Sequence, residues 1–117
     1  MKYRVWDNAK ERFRDDVYLR PDGEVQEWYP QAEIEECRFI VELFTSLKDK
    51  NGKGVYEGDI VQYEDNFGTN QYPDMRTFTE EVRLVGGAFD PISEIPTGII
   101  TVVGNIHENP ELLEEAL

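Results

Sequence analysis

The residue types that most often act as nucleophiles and bases, cysteine and histidine, each occur once in this chain, as Cys37 and His107. Covalent catalysis needs a nucleophile, a base and a group that orients the base. Cys37 follows Glu35 and Glu36, whose charges disfavour the reactive thiolate. His107 lies between a predicted strand and a predicted helix, where we expect a hydrogen-bonded linker residue. The sequence therefore predicts a protein that is not an enzyme and has no catalytic residue.

One segment has the spacing of an EF-hand calcium loop, in which ligands occupy fixed positions. Asp49, Asn51 and Gly54 take the first, third and sixth positions. Lys53 and Ile60 take the fifth and twelfth, where oxygen ligands are required. A single histidine and a single cysteine are also too few for an ordinary zinc site. We therefore expect a tight hairpin here, and neither a metal nor another cofactor in the protein.

Carboxylate side chains are abundant, with 25 Asp and Glu residues. Paired acids can hydrolyse glycosides, and carboxylates can hold Mg²⁺, so a carboxylate- or metal-dependent hydrolase is one alternative function. The pairs Glu80-Glu81 and Glu114-Glu115 are more typical of solvated surfaces. We favour the surface interpretation, and metal binding by a carboxylate cluster stays open as an alternative.

The charge balance argues against several partners. The chain has 12 Lys and Arg residues against 25 Asp and Glu, a formal net charge of −13 and a pI near 4.4. Such a protein repels polyphosphates and anionic membranes, so we expect no nucleic acid and no membrane as partner. The charge also favours a second alternative function, an acidic DNA mimic that inhibits a nucleic-acid-binding protein. A mimic needs a continuous face of charges, whereas these acids are scattered along the chain.

The length of 117 residues is that of a single domain. We divide it into N-terminal strands with a hairpin at 1–44 and a barrel core with a C-terminal helix at 45–117. We find no leader segment, and nothing approaches the ~18 apolar residues of a membrane span. A lone cysteine forms no internal disulfide, so we expect a soluble cytoplasmic protein.

Two turns that contain glycine define the centre of the chain. Asn51-Gly52 suits the positive φ of a tight hairpin turn, and Glu57-Gly58-Asp59 bends the chain before a strand at residues 60–63. We expect the Asp59 carboxylate to accept backbone N–H bonds across its turn. This pattern is typical of a corner in a small β-barrel.

Alternating and β-branched segments predict further strands. They lie at residues 3–6, at 17–19 and 24–29 around a Pro21-Asp22-Gly23 turn, at 38–44, at 80–85 with a bend at Gly86-Gly87, and, buried, at 99–103. Between them the sequence predicts a loop or frayed turn at 9–16, a long surface loop or a partly disordered segment at 65–79 and a connection at 88–98.

The C-terminal residues predict a helix. Asn109 is a capping residue type, and Pro110 suits the first helical position. Only two turns fit before the chain ends, so contacts through Leu112, Leu113 and Leu117 must stabilise the helix.

The aromatic residues of the predicted strands have two interpretations. They can line a peptide-binding groove, as in some small β-barrels, or pack within the sheet. Both stay open, and we take Trp28, Tyr29 and Tyr63 as the candidate partner surface.

Three motifs occur in order along the chain. They are Lys2-Tyr3-Arg4-Val5-Trp6-Asp7, then Asp49-Lys50-Asn51-Gly52 with Val55-Tyr56-Glu57-Gly58-Asp59-Ile60-Val61, and finally Val103-Gly104-Asn105-Ile106-His107-Glu108-Asn109-Pro110-Glu111-Leu112-Leu113. Together they resemble the YopX family of small phage and prophage proteins. The resemblance implies a mainly β fold with an SH3-like barrel core, additional strands and a short C-terminal helix. It also implies a bacterial host and a family without an established activity.

We expect the most recognisable motif residues to be structural. They are Gly52, Tyr56, Gly58, Asp59, Gly104, Asn105, Asn109 and Pro110. The observations together favour a non-enzymatic phage or prophage accessory protein that binds an unknown protein partner in the bacterial cytoplasm. The basic residues 1–20 can contact the acidic part of their own chain or that of a second copy, and the sequence permits both. Because small barrels often cover an edge strand with a second copy, we favour a homo-oligomer.

Overall fold

Strands dominate the computed structural model, which describes residues 2–27, 38–92 and 95–115. These residues form eleven strands, one 3₁₀ turn and one short α-helix. The predicted mainly β fold is therefore confirmed. By its internal contacts the chain consists of two units, Met1–Leu43 and Phe44–Leu117.

The first unit is built from short antiparallel strands. They are β1 Tyr3–Asp7, β2 Arg12–Arg14, β3 Val17–Leu19, β4 Val25–Glu27 and the first half of β5 Phe39–Lys48. β1 lies between β2 and β5, and Val5 is opposite Arg14 on one side and Val41 on the other. β3 and β4 form a hairpin in which Gly23 has a φ of 88°. The first predicted strand is confirmed, and so is the predicted hairpin as far as residue 27; residues 28 and 29 of its second predicted strand lie outside the described residues.

The prediction of a loop or frayed turn at residues 9–16 is wrong, because β2 occupies the middle of this segment. The ring of Phe13 packs edge-on against Trp6, with the ring centroids 4.9 Å apart. The side chain of Arg14 is buried and donates to Asp7 at 2.7 Å. Two contacts with β1 therefore stabilise β2, which the charged composition of the segment did not predict.

The second unit contains the remaining elements. They are the second half of β5, β6 Gly54–Tyr56, β7 Asp59–Asn66, β8 Met75–Glu81, β9 Arg83–Val85, β10 Ala88–Asp90, a 3₁₀ turn at Thr97–Ile99, β11 Thr101–Asn105 and α1 Glu111–Glu115. β7 lies between β11 and β8 in a three-stranded antiparallel sheet. β6 pairs with the end of β5, and β9 pairs with β10.

One face of the β11–β7–β8 sheet covers the hydrophobic core of this unit. The buried core side chains are Val55, Val61, Tyr63, Val82, Ile92 and Ile100. Alternate residues of a strand share a face, so Val61 and Tyr63 lie on the core side of β7. Gln62 and Glu64 lie on the opposite face, which is polar and partly open to solvent.

The prediction of a long surface loop at residues 65–79 is wrong, because β7 and β8 extend into it and leave only residues 67–74 between them. The connection itself is ordered by a side chain. Asn66 Oδ1 accepts the backbone amides of Gly68 and Asp74, each at 2.9 Å. The polar residues that predicted a loop therefore lie largely in an exposed hairpin formed by the ends of β7 and β8.

The prediction of one strand over residues 80–85 is wrong at Val82, which separates β8 from β9. The Val82 amide donates to the Asp59 carbonyl at 2.8 Å, and the Val82 carbonyl accepts the Gly58 amide at 2.9 Å. The two glycines predicted to form a bend make the tight turn between β9 and β10, with φ angles of 59° and 84°.

Two predictions nearer the C-terminus are also wrong. β10 lies within residues 88–98, which the sequence predicts to be a connection. The last strand begins at Thr101 rather than Ile99, because a 3₁₀ turn precedes it. Ile100 is fully buried, whereas Ile99 is 47% exposed. Only one of the two isoleucines therefore serves the core.

The predicted C-terminal helix is confirmed as α1. The Asn109 carbonyl accepts the Leu112 amide at 3.1 Å, but the Asn109 side chain turns back and accepts the Asn105 amide at 3.3 Å. Leu112 and Leu113 are half-buried, and Leu117 lies outside the described residues. At five residues α1 is too short to cross a membrane, and the described residues contain no other helix that could.

Candidate functional site

The central motif residues belong to a hydrogen-bonded framework in the second unit. Gly52 and Gly58 have φ angles of 84° and 86°, which glycine adopts without strain. The Ile106 amide donates to the Gly58 carbonyl, and the Lys50 amide donates to the Ile100 carbonyl, each at 2.9 Å. These bonds attach both central turns to the C-terminal part of the unit.

Asp59 has the structural role predicted for it. It is only 2% exposed, and its Oδ2 accepts the Tyr56 amide at 2.8 Å. The carboxylate therefore closes the turn between β6 and β7 from within.

Asp49 is a second buried carboxylate, to which the sequence analysis assigned no structural role. Its Oδ1 accepts the amides of Asn51 and Lys53, and its Oδ2 accepts the amide of Val102, each at 2.9 Å. Burial alone would raise the pKa of Asp49, but these bonds and the Lys53 charge outweigh it and lower that pKa. Asp49 thus shapes the hairpin turn and attaches it to β11.

The closing motif packs two asparagine side chains around a glycine. A Cβ atom on Gly104 would lie 2.5 Å from Asn109 Oδ1, so a larger residue does not fit without movement. Asn105 Oδ1 accepts the amides of His107 and Glu108 at 3.0 and 2.9 Å, and Asn105 Nδ2 donates to Glu108 Oε1 at 2.8 Å. His107 is therefore held through its backbone amide, as expected of a linker residue.

Tyr56 and Pro110 complete the motif set. The Tyr56 ring packs against Phe44 with the centroids 5.1 Å apart. Pro110 is exposed, and its carbonyl accepts the Leu113 amide at 3.2 Å at the start of α1. The described contacts of the motif residues are thus those of a framework.

A cleft of about 430 Å³ opens on the polar face of the β11–β7–β8 sheet, and we call it the sheet cleft. Its lining residues are Lys50, Gln62, Tyr63, Glu64, Met75, Thr77, Gly98, Ile99 and Thr101. Gln62 is opposite Thr101 on one side and Thr79 on the other, so it occupies the middle strand of the floor. Met75 and Ile99 are 56% and 47% exposed and contribute apolar surface. The cleft therefore combines hydrogen-bonding groups with exposed apolar side chains.

Tyr63 contributes a buried ring rather than the exposed surface that the sequence suggested. It is 8% exposed, its ring stacks on Phe78 at 5.4 Å, and its hydroxyl donates to Glu80 Oε2 at 3.2 Å. Burial and the neighbouring Glu80 charge raise the pKa of Tyr63 to about 12. The hydroxyl therefore stays protonated near neutral pH.

The chemistry that the sheet cleft offers is hydrogen bonding and apolar contact. Its charged lining residues are Lys50 and Glu64, and neither histidine nor cysteine lines it. Among the residues that the structure describes, no group of three or more His, Cys, Asp or Glu side chains is arranged to hold a metal. The sequence candidates Trp28, Tyr29 and Cys37 lie outside those residues.

The first unit contains a buried charge cluster that the sequence analysis missed. Asp7 Oδ2 accepts from Arg14 Nη1 at 2.7 Å and from Arg38 Nη2 at 3.1 Å. Arg14 also donates through Nε and Nη2 to both Asp16 oxygens. Burial would raise the pKa of Asp7, but the bonds from Arg38, the following turn amides and Arg14 lower it to about 2. The bond from Arg14 likewise lowers the pKa of Asp16 to about 2.

Fold and site together define a small, mainly β protein with a turn framework and an open cleft on one sheet. The profile of the YopX family, described as YopX protein, matches residues 2–114. The chain belongs to the YopX family. It is also similar to a solved structure, the crystal structure of protein EF1440 from Enterococcus faecalis, with 26% sequence identity over 96% of each chain and a TM-score of 0.62. No curated protein gives a significant match.

Proposed function

We propose that this chain is a non-enzymatic phage or prophage accessory protein that binds another protein through the sheet cleft. The exposed apolar side chains beside a hydrogen-bonding floor carry this proposal. Covering apolar surface is favourable by roughly 25 cal/mol per Å², and methionine is enriched at protein interfaces. The phage or prophage setting and the bacterial host come from the family resemblance, the cytoplasmic location comes from the lone cysteine, and all three are part of the proposal.

The apolar side of the cleft is held in place by backbone bonds. The Ile99 amide donates to the Pro96 carbonyl at 3.2 Å within the 3₁₀ turn. The next residue, Ile100, is anchored in the core and accepts the Lys50 amide at 2.9 Å. A binding surface that is already ordered loses less conformational entropy when a partner binds. This supports recognition by a preformed surface.

A non-enzymatic role is supported by the proton chemistry of the cleft. General acid–base catalysis works best with a group whose pKa lies near the operating pH. Tyr63 is buried and directs its hydroxyl to Glu80, and its pKa, raised to about 12, keeps that hydroxyl protonated at neutral pH, so it does not act as a base in the cleft. Lys50 and Glu64 suit the recognition of charged or polar groups on a partner.

Affinity capture from lysates of a lysogenic bacterium tests the proposal with a matched pair of variants. Ile99→Glu places a charge at the cleft, whereas Leu84→Glu places one on β9, outside the cleft lining. The two native side chains are almost equally exposed, at 47% and 46%. We expect the wild type and Leu84→Glu to capture the same protein and Ile99→Glu to lose it. Equal capture by the two variants, both with native unfolding midpoints, contradicts the proposal.

We further propose that the strands of the second unit form an SH3-like barrel. The support is a core whose buried members come from β6, β7 and the strand connections. An experimental structure with these strands closed into one continuous barrel is the expected result. Separate open sheets in that structure would remove the proposal.

A further inference from the structure

β8 forms an edge of the three-stranded sheet. Within the described part of the chain it pairs with β7 alone, along its whole length Met75–Glu81. The backbone groups on the other side of an edge strand can pair with a strand from another molecule. Met75, Arg76 and Thr77 are all exposed, so the N-terminal half of this edge is accessible.

Charged side chains usually protect such an edge against pairing. In β8, however, the cation Arg76 and the anion Glu80 allow the strand to pair favourably with a second copy of itself. Arg76, Phe78 and Glu80 share one face of the sheet, since each is opposite a residue on the same side of β7. Phe78 is the middle residue of this trio, with the cation two residues before it and the anion two residues after it.

We propose that two copies of this chain pair antiparallel through β8, with Phe78 on the two-fold axis. Each Arg76 is then directly opposite Glu80 of the other copy, and Thr77 is opposite Thr79. Glu80 accepts the hydroxyl of its own Tyr63 through Oε2, and a carboxylate has further acceptor sites for the arginine. Directly opposed residues in an antiparallel pair have their Cβ atoms about 4.5–5.5 Å apart, and opposite charges there attract. The dimer does not rest on the proposed protein partner, although Met75 and Thr77 of β8 also line the sheet cleft.

Two-fold symmetry and the pairing of opposite charges together select this register. An axis perpendicular to the sheet keeps each side chain on its own face, so it cannot place Arg76 opposite Glu81, which lies on the other face. Centring the pair on Thr77 puts Arg76 opposite Phe78, and centring it on Thr79 puts Arg76 opposite Val82. Among these three central positions only Phe78 pairs both cations with anions.

The surroundings of β8 are compatible with an added strand. A groove of about 480 Å³ runs beside the C-terminal half of β8, where Thr79, Glu80 and Glu81 line it together with Leu113 of α1. The bond from Arg76 to Asp74 is 2.9 Å long, and both side chains are more than half exposed, so it is easily exchanged. Phe67, 57% exposed, packs against Phe78 with the centroids 5.6 Å apart. Pairing through β8 brings two such aromatic pairs close to the axis.

Sedimentation velocity at tens of micromolar tests the dimer by charge reversal. We expect the wild type to sediment as a dimer, Arg76→Glu and Glu80→Arg each to sediment as monomers, and the double variant to recover the dimer. Arg20→Glu is the matched control, because Arg20 is also exposed and also makes an ion pair, of 3.1 Å to Asp22, in the turn between β3 and β4. This control should remain dimeric. A wild type found only at 13.6 kDa overturns the proposal, as does a dimer that survives Arg76→Glu.

Hydrogen exchange of the unmodified chain provides a second test that needs no substitution. We expect the backbone amides of β8 that do not bond to β7 to exchange more slowly as the protein concentration rises. In the dimer these amides become hydrogen-bonded to β8 of the other copy. Protection in β8 that does not change with concentration overturns the proposal even where Glu80→Arg fails to fold.

Discussion

Buried carboxylates at turns account for much of the local structure of this protein. Asp49 and Asp59 satisfy backbone amides of the second unit, and Asp7 satisfies arginine side chains of the first. A buried charge is tolerated only where donors surround it. The sequence predicted this role for Asp59, whose bond spans three residues. It could not predict that Asp49 reaches Val102, because that bond joins residues 53 positions apart.

Replacing Asp59 by alanine should lower the free energy of unfolding by about 1–3 kcal/mol, the usual penalty for a buried donor left without its acceptor. Urea denaturation measures the difference. Asp65→Ala is the control, because Asp65 is exposed on the same strand and should change stability by less than about 0.5 kcal/mol. Equal effects of the two substitutions would show that the Asp59 carboxylate does not support the turn.

The Asp7 cluster should make the stability depend on acid pH. The pKa of Asp7 is about 2 in the folded protein against 3.8 ordinarily, so folding favours the ionised form. This contribution is fully present above the ordinary pKa and is lost as the pH falls from 3.8 towards 2. Asp7→Asn should therefore be less stable than the wild type at neutral pH, with the difference shrinking across that window. A difference that stays constant down to pH 2 contradicts the assignment.

At the scale of elements, the turns were easier to predict than the strands between them. Gly23, Gly52 and Gly58 all adopt the positive φ that their turns required. Glycine adopts this conformation because it lacks a Cβ atom, which does not depend on contacts elsewhere in the chain. β2, β8 and β10 were missed because short or exposed strands carry many polar residues and depend on partners elsewhere in the chain.

The sheet cleft was missed for the same physical reason. It depends on the register that places Gln62 between Thr79 and Thr101, and on the 3₁₀ turn that leaves Ile99 exposed. The run of β-branched residues at 99–103 indicated a strand that is buried throughout. Such a run does not by itself show which of its side chains face the core and which face solvent.

The contact between Gly104 and Asn109 gives a test at the scale of the C-terminal element. Gly104→Ala should lower the free energy of unfolding by about 1–3 kcal/mol, since the added methyl group overlaps the Asn109 side chain. It should also speed hydrogen exchange in α1. Gly98→Ala is the control, because nothing lies within 4 Å of its added Cβ. A Gly104 variant as stable as the control would show that the motif glycine is not needed for packing.

At the scale of the whole molecule, the net charge of −13 overstates the acidic surface. Four acidic side chains of the described residues are buried, namely Asp7, Glu42, Asp49 and Asp59. These four serve internal bonds, for example from Arg4 to Glu42 at 3.1 Å. They are therefore unavailable to imitate the phosphates of a DNA duplex.

This distribution leads us to expect a partner complex with weak salt dependence. Its dissociation constant should rise by less than about tenfold between 50 and 200 mM salt, whereas replacing 6–10 phosphate contacts would cost roughly 10³–10⁵ in affinity. Fluorescence titration with the captured partner, with and without competing duplex DNA, measures both quantities. Steep salt dependence together with displacement by DNA would favour the mimic instead.

The central claim, that the sheet cleft is the binding surface, is tested most directly by mapping the captured partner onto backbone amide resonances of labelled protein. We predict that the largest shifts occur at Gln62, Thr77 and Ile99 and that Ile99→Glu abolishes them. Shifts confined to the β9–β10 hairpin or to residues 2–27, with the cleft amides unchanged, would contradict the account.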